Sequence, residues 1–311
     1  MSERRVLISC PLLRESIDGY AGEFESRGIA YDDPEVNQQL KENELLSIIH
    51  RYDGVIAGDD EFTATVFDEA DRLKVVVKWG IGTDNIDFEA ADRNGITVTN
   101  TPGAFAAEVA DVAIGYGIML TRRLHIIDRE VRQGAWYCPR GVSLAGRTFG
   151  VIGVGSIGSE TARRARAHDM NVLGHDIEQI EEDLKEETGI ESVGLDELFE
   201  RSDIVSLHCP LIPQTEKMVD SEKLEALGPD GYLINTARGG LIDHEALVNA
   251  LQDRAVAGVA LDVFEQEPLP ESNTLSSFEN VILGSHNAQN TAEAVNSVND
   301  RSVKLLFDNL E

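Results

Sequence analysis

Short apolar runs alternate with amphipathic segments along nearly the whole chain. In the first hundred residues, four runs have the length of buried strands: residues 6–9, 54–57, 75–78 and 97–99. Three segments between them carry apolar residues at helical spacing: residues 39–50, 63–71 and 87–94. Strands that alternate with helices form parallel sheets with crossover helices, so this part of the chain predicts a parallel α/β domain.

A second alternating series follows residues 104–133, which have no proline and predict a long helical segment with few breaks. The predicted strands of this series are residues 149–152, 171–174, 204–207, 232–234, 256–260 and 281–282. The predicted helices between them are residues 156–168, 178–187, 196–201, 221–227 and 244–252. A last helix, residues 291–310, comes after the second sheet is complete, and we expect it to pack on the first domain.

Length and apolar content favour a two-domain protein of the cytoplasm. The 311 residues are enough for two domains with their own cores. The most apolar stretch, residues 109–120, is too short to span a membrane and contains Asp111. Charged residues end the first apolar run, which favours a strand over a signal peptide. Three scattered cysteines indicate reduced thiols.

The chain is strongly acidic, with a formal net charge of −29 and only seven lysines. Such a charge excludes a general affinity for nucleic acid or for anionic membranes, because both require clustered basic residues. Two interpretations stay open: a protein kept soluble in concentrated salt, where screening weakens self-repulsion, or an acidic mesophilic protein. The dependence of thermal stability on salt distinguishes them.

A glycine-rich sequence, G-V-G-S-I-G, follows the apolar run that ends at Ile152 and opens a predicted helix. Gly153 permits a sharp turn, Gly155 admits a pyrophosphate against the backbone, and Gly158 lets the helix pack close to the sheet. Asp176 ends the next strand, where an acid accepts hydrogen bonds from ribose hydroxyls and repels a 2′-phosphate. The pattern predicts an NAD site, although an acid at a strand end is also common as a solvated turn residue.

Three chemically versatile residues follow other predicted strands. Arg238 can hold a carboxylate through paired hydrogen bonds. His286 can donate a proton to a carbonyl oxygen, and a neighbouring carboxylate such as Glu267 favours the imidazolium. Ligands of open parallel sheets lie beyond the carboxyl ends of the strands, so together these residues predict reduction of a 2-oxo acid or oxidation of a 2-hydroxy acid. Taken singly, each is equally compatible with a structural role.

The motifs occur in an order that resembles the D-isomer-specific 2-hydroxyacid dehydrogenase family, which includes phosphoglycerate dehydrogenase. The resemblance covers nearly the whole chain. The matching segments are residues 78–87, 101–103, 153–158, 206–211, 235–240, 262–268 and His286. It implies an NAD-dependent enzyme of two Rossmann-like parallel-sheet domains. The NAD-binding domain, residues 101–286, would be inserted into a discontinuous substrate domain, residues 1–100 and 287–311. The family is usually dimeric through the long helix after Thr101.

The resemblance also implies a role for individual residues. Arg238 would bind the substrate carboxylate and carbonyl, His286 would be the acid/base, and Glu267 would orient and charge it. The substrate-binding loop would be Lys78, Trp79, Gly80, Ile81 and Gly82. The cofactor-binding residues would be Gly153, Gly155, Ser156, Ile157, Gly158, Asp176, His208, Cys209, Pro210, Thr215, Thr236, Ala237 and Asp262. Asp262 would contact the nicotinamide amide, and no metal ligand is implied.

The chain departs from the family pattern at two sites. Where phosphoglycerate dehydrogenase has an arginine for the substrate phosphate, this chain has Asp59, Asp60 and Glu61. Three acids would repel a phosphate, so we expect a non-phosphorylated substrate unless Arg14 or Arg51 supplies the charge. The sequence around His286 is Ser-His-Asn, where the family commonly has Pro-His and an apolar residue. We also expect no feedback control through the carboxyl-terminal regulatory domain found in many phosphoglycerate dehydrogenases.

Three other functions share parts of this pattern. Formate dehydrogenases pair their histidine with glutamine, so Glu267 favours a 2-hydroxy acid. A 3-phosphoglycerate dehydrogenase stays an alternative, as does an NAD(H)-sensing protein that resembles corepressors of the same fold. Oxidation of NADH with glyoxylate, hydroxypyruvate or pyruvate would separate the enzyme from the sensor.

Overall fold

The computed structural model describes residues 4–310, so the outer ends of the predicted substrate domain, residues 1–3 and 311, lie outside the described residues. The chain forms two compact units. One comprises the described residues up to Ala104 and from Asn290 onwards, and the other is Phe105–Gln289. Within residues 4–310, no helix combines the length and apolarity needed to cross a bilayer.

The first unit contains a five-stranded sheet. Its strands are β1 (Arg4–Ile8), β2 (Ile29–Asp32), β3 (Gly54–Ala57), β4 (Val75–Lys78) and β5 (Thr97–Thr99). They pair in the order β2-β1-β3-β4-β5, and all neighbours are parallel. The helices are α1 (Pro11–Arg14), α2 (Ala21–Ser26), α3 (Glu42–Ile48), α4 (Ala64–Asp68), α5 (Phe88–Arg93) and the carboxyl-terminal helix Ala292–Leu310, with short 3₁₀ turns at Ile17–Tyr20 and Ile49–Arg51.

The carboxyl-terminal helix packs on the first sheet, which confirms the expectation from its position in the sequence. It lies against β3 and β4. A methyl group added to Gly54 of β3 would lie 3.0 Å from Leu306 Cδ1 of this helix, so the two elements are in close contact. The chain thus returns to its first domain after the second is complete.

The second unit contains a seven-stranded parallel sheet. Its strands are β6 (Thr148–Ile152), β7 (Asn171–His175), β8 (Glu191–Ser192), β9 (Ile204–Leu207), β10 (Tyr232–Asn235), β11 (Gly258–Leu261) and β12 (Val281–Leu283). They pair in the order β12-β11-β10-β9-β6-β7-β8. The helices are α6 (Ala106–Arg122), α7 (Leu124–Arg132), α8 (Ser156–Ala167), α9 (Glu182–Thr188), α10 (Leu195–Arg201), α11 (Ser221–Leu227) and α12 (His244–Gln252), with 3₁₀ turns at Gly239–Leu241 and Thr274–Ser277. Two parallel-sheet α/β units confirm the predicted fold class.

Two edge strands are absent from the prediction. Only Ile29 of β2 is buried, and both residues of β8 are exposed. An edge strand has one neighbour and little burial, so its sequence lacks the apolar run that identifies a central parallel strand. Pairing with a neighbour creates both strands: β2 lies beside β1, and β8 beside β7.

The helical segment predicted for residues 104–133 is present and is divided into two helices, α6 and α7. Phe105 has a φ of 66°, and α6 begins after it. Arg123 has a φ of 53°, which ends α6 and separates it from α7. The left-handed region is unfavourable for a residue with a Cβ, so a sequence without glycine or proline gives little sign of such a break.

Candidate active site

Two glycines of the loop between β6 and α8 and a third in the first turn of α8 each meet a different steric demand. Gly153 has a φ of 86°, and a Cβ there would lie 2.5 Å from the backbone nitrogen of Cys209. A Cβ at Gly158 would collide with the carbonyl oxygen of Gly153. A Cβ at Gly155 would meet nothing within 4 Å. A pyrophosphate that binds at a helix amino terminus requires a sharp turn, a helix packed close to the sheet, and backbone that is open to the phosphates. The three glycines provide these features next to Ser156 and Ile157.

Asp176 lies directly after β7 and is hydrogen bonded to the glycine loop. Its Oδ2 accepts a hydrogen bond from Val154 N at 2.6 Å, and its Oδ1 accepts one from Glu178 N at 2.9 Å. These bonds hold the carboxylate beside the loop, where its remaining lone pairs suit ribose hydroxyls.

Sequence reasoning missed Ile177, the next residue. Its side chain is 80% exposed at the carboxyl edge of the sheet. An isolated exposed apolar residue is ordinary, but this one adjoins the proposed ribose site and offers a surface for an adenine ring. The sequence did contain an indication of this residue, because an apolar side chain follows directly after the acid at the strand end.

The loop after β9 holds four of the predicted cofactor residues: His208, Cys209, Pro210 and Thr215. Burial lowers the pKa of His208 to about 3, and its Nε2 lies 2.9 Å from Ser206 Oγ. The imidazole is therefore neutral at physiological pH and unsuited to proton transfer. Thr215 Oγ1 donates to Pro210 O at 2.6 Å and accepts from Ile212 N at 2.9 Å, so this hydroxyl shapes the loop.

The loop after β10 carries Thr236, Ala237 and Arg238. It is shaped by Asn235, a fully buried residue to which sequence reasoning gave no role. Asn235 Oδ1 accepts from Ala237 N at 3.0 Å, and its Nδ2 donates to Arg238 O at 2.8 Å. The signal was an asparagine at the end of an apolar strand, three residues before the arginine.

Two features beside Asn235 bear on ligands. The hydroxyl of Thr236 is buried and has no hydrogen-bond partner among residues 4–310, so its chemistry suits a contact with a polar group of a cofactor. A Cβ at Gly239 would collide with the backbone of Phe264 and Glu265. The arginine loop thus packs directly on the loop that carries Glu267.

Glu267 and His286 form a hydrogen-bonded pair. Glu267 Oε2 lies 2.7 Å from His286 Nδ1, and the two side chains are only 18% and 22% exposed. Glu267 Oε1 accepts a hydrogen bond from Phe264 N at 2.9 Å, which fixes the carboxylate on its own loop. A carboxylate at Nδ1 favours a proton on that nitrogen and so fixes the tautomer and the orientation of the ring. This is the arrangement of an oriented acid/base.

The predicted substrate loop belongs to the first unit. Lys78 is 6% exposed, and its Nζ donates to Trp79 O at 2.8 Å and lies 3.1 Å from Asp59 Oδ1. Trp79 Nε1 donates to Asn299 Oδ1 at 2.7 Å, and Gly80 N donates to Thr101 Oγ1 at 3.0 Å. The loop is therefore fastened at several points, which leaves the backbone around Ile81 and Gly82 well defined.

In the acidic loop after β3, the three acids expected to repel a phosphate do not have equivalent surroundings. Asp60 is buried and accepts hydrogen bonds from Ser9 Oγ and Leu40 N, and burial raises the pKa of its carboxyl group. Glu61 pairs with Lys41 at 2.9 Å, and its pKa is lowered by that contact. Two of the three acids thus serve local structure, and Asp59 forms an ion pair with the buried ammonium of Lys78.

A resident metal finds no support in the part of the chain that the structure describes. Residues 4–310 contain no group of three or more His, Cys, Asp or Glu side chains able to hold an ion. The site is built from a glycine loop, an arginine and a carboxylate-paired histidine.

Comparison with known proteins agrees with this geometry. The family model of the D-isomer specific 2-hydroxyacid dehydrogenase NAD binding domain matches residues 114–288. A glyoxylate reductase of Thermofilum pendens is 42% identical over 241 residues, which are 76% of this chain and 71% of the relative. The structure of a D-lactate dehydrogenase from Aquifex aeolicus, in complex with NAD and lactic acid, is 28% identical. It superposes with a TM-score of 0.86 over 98% of this chain and 94% of its own.

A second solved structure holds the other nicotinamide cofactor. An NADPH-dependent glyoxylate/hydroxypyruvate reductase from Sinorhizobium meliloti, in complex with NADP and malonate, is 32% identical. Its TM-score is 0.82 over 97% of this chain and 92% of its own.

Fold and site define a nicotinamide-dependent oxidoreductase with two parallel-sheet domains. The chain belongs to the D-isomer specific 2-hydroxyacid dehydrogenase family. The predicted family and class of enzyme are confirmed.

Proposed function

We propose that this enzyme reduces small, non-phosphorylated 2-oxo acids of the glyoxylate and hydroxypyruvate class with NADH. The observation that carries the proposal is the 2.7 Å contact between Glu267 Oε2 and His286 Nδ1. It provides an oriented proton donor at the carboxyl edge of a sheet that also carries a dinucleotide loop and an arginine. The named activity of the Thermofilum relative supports this substrate class.

In this proposal Arg238 holds the substrate carboxylate and polarises the adjacent carbonyl group. His286 Nε2 donates a proton to the carbonyl oxygen as the carbon accepts a hydride, so that C=O becomes CH–OH. Glu267 stabilises the imidazolium before transfer and keeps the ring aligned afterwards. Bound nicotinamide supplies the hydride. In the oxidative direction the neutral imidazole takes the hydroxyl proton instead.

A pair of active-site variants tests this chemistry. Arg238→Ala and His286→Gln should each lower kcat/KM for glyoxylate by at least about a hundredfold, because a carboxylate contact and a proton donor are lost. NADH binding should persist in both variants. Full activity in either variant would contradict the proposal. Tight NADH binding by the wild type without turnover of any 2-oxo acid would favour the NAD(H)-sensing alternative.

We assign NAD as the cofactor. Asp176 lies beside the glycine loop, and a carboxylate there would repel the 2′-phosphate of NADP. The described loop also has an exposed isoleucine rather than a basic residue at position 177, where a positive charge would favour that phosphate. The NAD complex of the Aquifex structure is in line with this assignment.

We propose that residues of the first unit contribute to substrate recognition. The loop from Lys78 to Gly82 would bind the carboxylate through its backbone, and Phe105–Gln289 would carry the cofactor. Asp59 offsets the charge of Lys78 and disfavours a second anionic group on the substrate. The buried ammonium is also the feature that would favour the alternative, 3-phosphoglycerate oxidation, if Asp59 moved away from it.

We propose that the enzyme is a homodimer that uses α7 and the segment after it. None of the nine residues of α7, Leu124–Arg132, is buried. Two of them, Leu124 and Val131, are apolar and yet more than 40% exposed. Trp136 is 88% exposed and Tyr137 39%. Aromatic residues clustered with aliphatic ones on a surface are typical of a subunit interface.

A cytoplasmic location is part of the proposal. The three cysteines are unpaired: Cys10 is buried, Cys209 is partly exposed and Cys138 is exposed. Unpaired thiols are the ordinary state in a reducing compartment.

A further inference from the structure

Buried Asp262 accepts hydrogen bonds from two backbone groups of the loop that carries His286. Asp262 follows β11 and is 2% exposed. Its carbonyl oxygen accepts a hydrogen bond from His286 N at 2.7 Å, and its Oδ2 accepts one from Ala288 N at 2.8 Å. One residue therefore ties the backbone immediately at the imidazole and two residues beyond it.

The His286 loop needs such support. His286 has a φ of 54°, a backbone region that non-glycine residues seldom occupy. Ser285 and Asn287 on either side are exposed, and neither restricts the backbone as a proline would. The two hydrogen bonds that Asp262 accepts therefore help to hold this backbone in place, together with the bond from Gln289 Nε2 to His286 O.

The second carboxylate oxygen of Asp262 contacts Tyr116. The hydroxyl of Tyr116, on α6, donates to Asp262 Oδ1 at 3.2 Å. A Cβ at Gly284 would lie 2.5 Å from this hydroxyl and would also collide with Asp262, so the chain leaves no room for another group between them. Burial and the adjacent carboxylate raise the pKa of Tyr116, which keeps its hydroxyl protonated as a donor.

We infer that Tyr116 is a positioning residue for catalysis: its hydroxyl fixes the rotamer of Asp262, which in turn fixes the backbone that carries His286. The inference rests on the proposed function, since it concerns the placement of the acid/base. Tyr116 does not touch the reacting atoms in this scheme. It acts through a chain of hydrogen bonds from α6 to Asp262 and from Asp262 to the His286 loop.

The test is Tyr116→Phe, which removes one oxygen atom and keeps the aromatic ring. Without the hydroxyl, the side chain of Asp262 can rotate and the imidazole of His286 is positioned less precisely. The kcat for glyoxylate should therefore fall about three- to tenfold. The solvent deuterium isotope effect on kcat should rise, because proton transfer from a misplaced imidazole becomes more rate-limiting. The Kd for NADH should stay within about twofold of wild type.

Tyr52→Phe is the matched control. Tyr52 lies in the first unit and donates its hydroxyl to Asp32 Oδ2 at 2.9 Å, so the same kind of tyrosine–aspartate bond is removed. This variant should keep the wild-type kcat and isotope effect. Both variants are assayed at a temperature at which circular dichroism shows them folded.

The outcomes separate this inference from the proposed function. Unchanged kcat and isotope effect in Tyr116→Phe would overturn the inference. A loss of kcat with an equal loss of NADH affinity would do so too, since Asp262 would then act on the cofactor instead. If His286→Gln and Arg238→Ala are inactive in the same assays, the proposed function stands whatever Tyr116→Phe shows.

Discussion

Gly158 of α8 lies against the carbonyl oxygen of Gly153, with no space for a methyl group between them. The contact brings the helix amino terminus to the end of β6, where its N–H groups would face the phosphates in the proposed cofactor site. Position 158 must therefore be a glycine for the helix to lie this close to the proposed dinucleotide site.

Gly158→Ala should weaken NADH binding at least about tenfold and destabilise the enzyme by ~1–3 kcal/mol, because the helix must move away from the strand. Fluorescence titration with NADH and thermal unfolding measure the two effects. Gly115→Ala is the control: Gly115 lies in α6, and a Cβ there meets nothing within 4 Å. That variant should bind NADH normally and gain ~0.5–1 kcal/mol from helix propensity. Equal behaviour of the two variants would contradict the steric argument.

Replacement of Asp176 should change the cofactor preference. Asp176→Ser removes the charge that would repel a 2′-phosphate, so the ratio of kcat/KM for NADPH to that for NADH should rise at least about tenfold. Steady-state kinetics with both cofactors measures the ratio. Glu178→Gln removes an equal charge two residues away and should leave the ratio nearly unchanged. A wild-type enzyme that uses NADPH as well as NADH would refute the assignment.

The pair formed by Asp59 and Lys78 should govern discrimination against a second anionic group. Asp59→Asn leaves the ammonium without its carboxylate, so the kcat/KM for 3-phosphohydroxypyruvate should rise about tenfold relative to that for hydroxypyruvate. Glu61→Gln, in the same loop, removes a carboxylate that pairs with Lys41 and should not alter this ratio. A wild-type preference for the phosphorylated substrate would instead support 3-phosphoglycerate dehydrogenase.

Trp136→Lys should dissociate the proposed dimer, since a charge would replace the most exposed aromatic side chain of the proposed interface. Sedimentation equilibrium measures the mass of the particle in solution. Phe88→Lys changes another exposed aromatic residue, in the first unit, and should leave the mass unchanged. A monomeric wild type would end the dimer proposal.

Two cysteines should resist thiol reagents at pH 8. Burial raises the pKa of Cys10 to about 12 and that of Cys209 to about 11, so both stay protonated well above neutral pH, and the thiolate is the reactive form. The folded Cys138→Ser variant should release almost no chromophore from a disulfide reagent. After denaturation, it should release two equivalents of chromophore per chain. Reactivity should increase as the pH rises towards these pKa values. Rapid native labelling at pH 8 would contradict the protonated state.

The elements that sequence reasoning found and missed differ in how they are stabilised. Central strands such as β4 and β9 are buried on both faces and therefore appear as apolar runs. The edge strands β2 and β8 exist because a neighbour offers unpaired backbone groups, which no local pattern reports. The break at Arg123 arises from a left-handed backbone that the surrounding structure stabilises, not from a helix-breaking residue.

The amino-acid sequence alone determined the fold class, the glycine loop and the identity of the arginine, glutamate and histidine. Those features depend on residue type and local order. Only the tertiary structure decided which groups meet: Glu267 with His286, Asp262 with Tyr116 across 146 positions of sequence, and Asp60 with Ser9 in the interior. Burial and hydrogen bonding set the orientation and charge of these groups, and both depend on packing between distant segments.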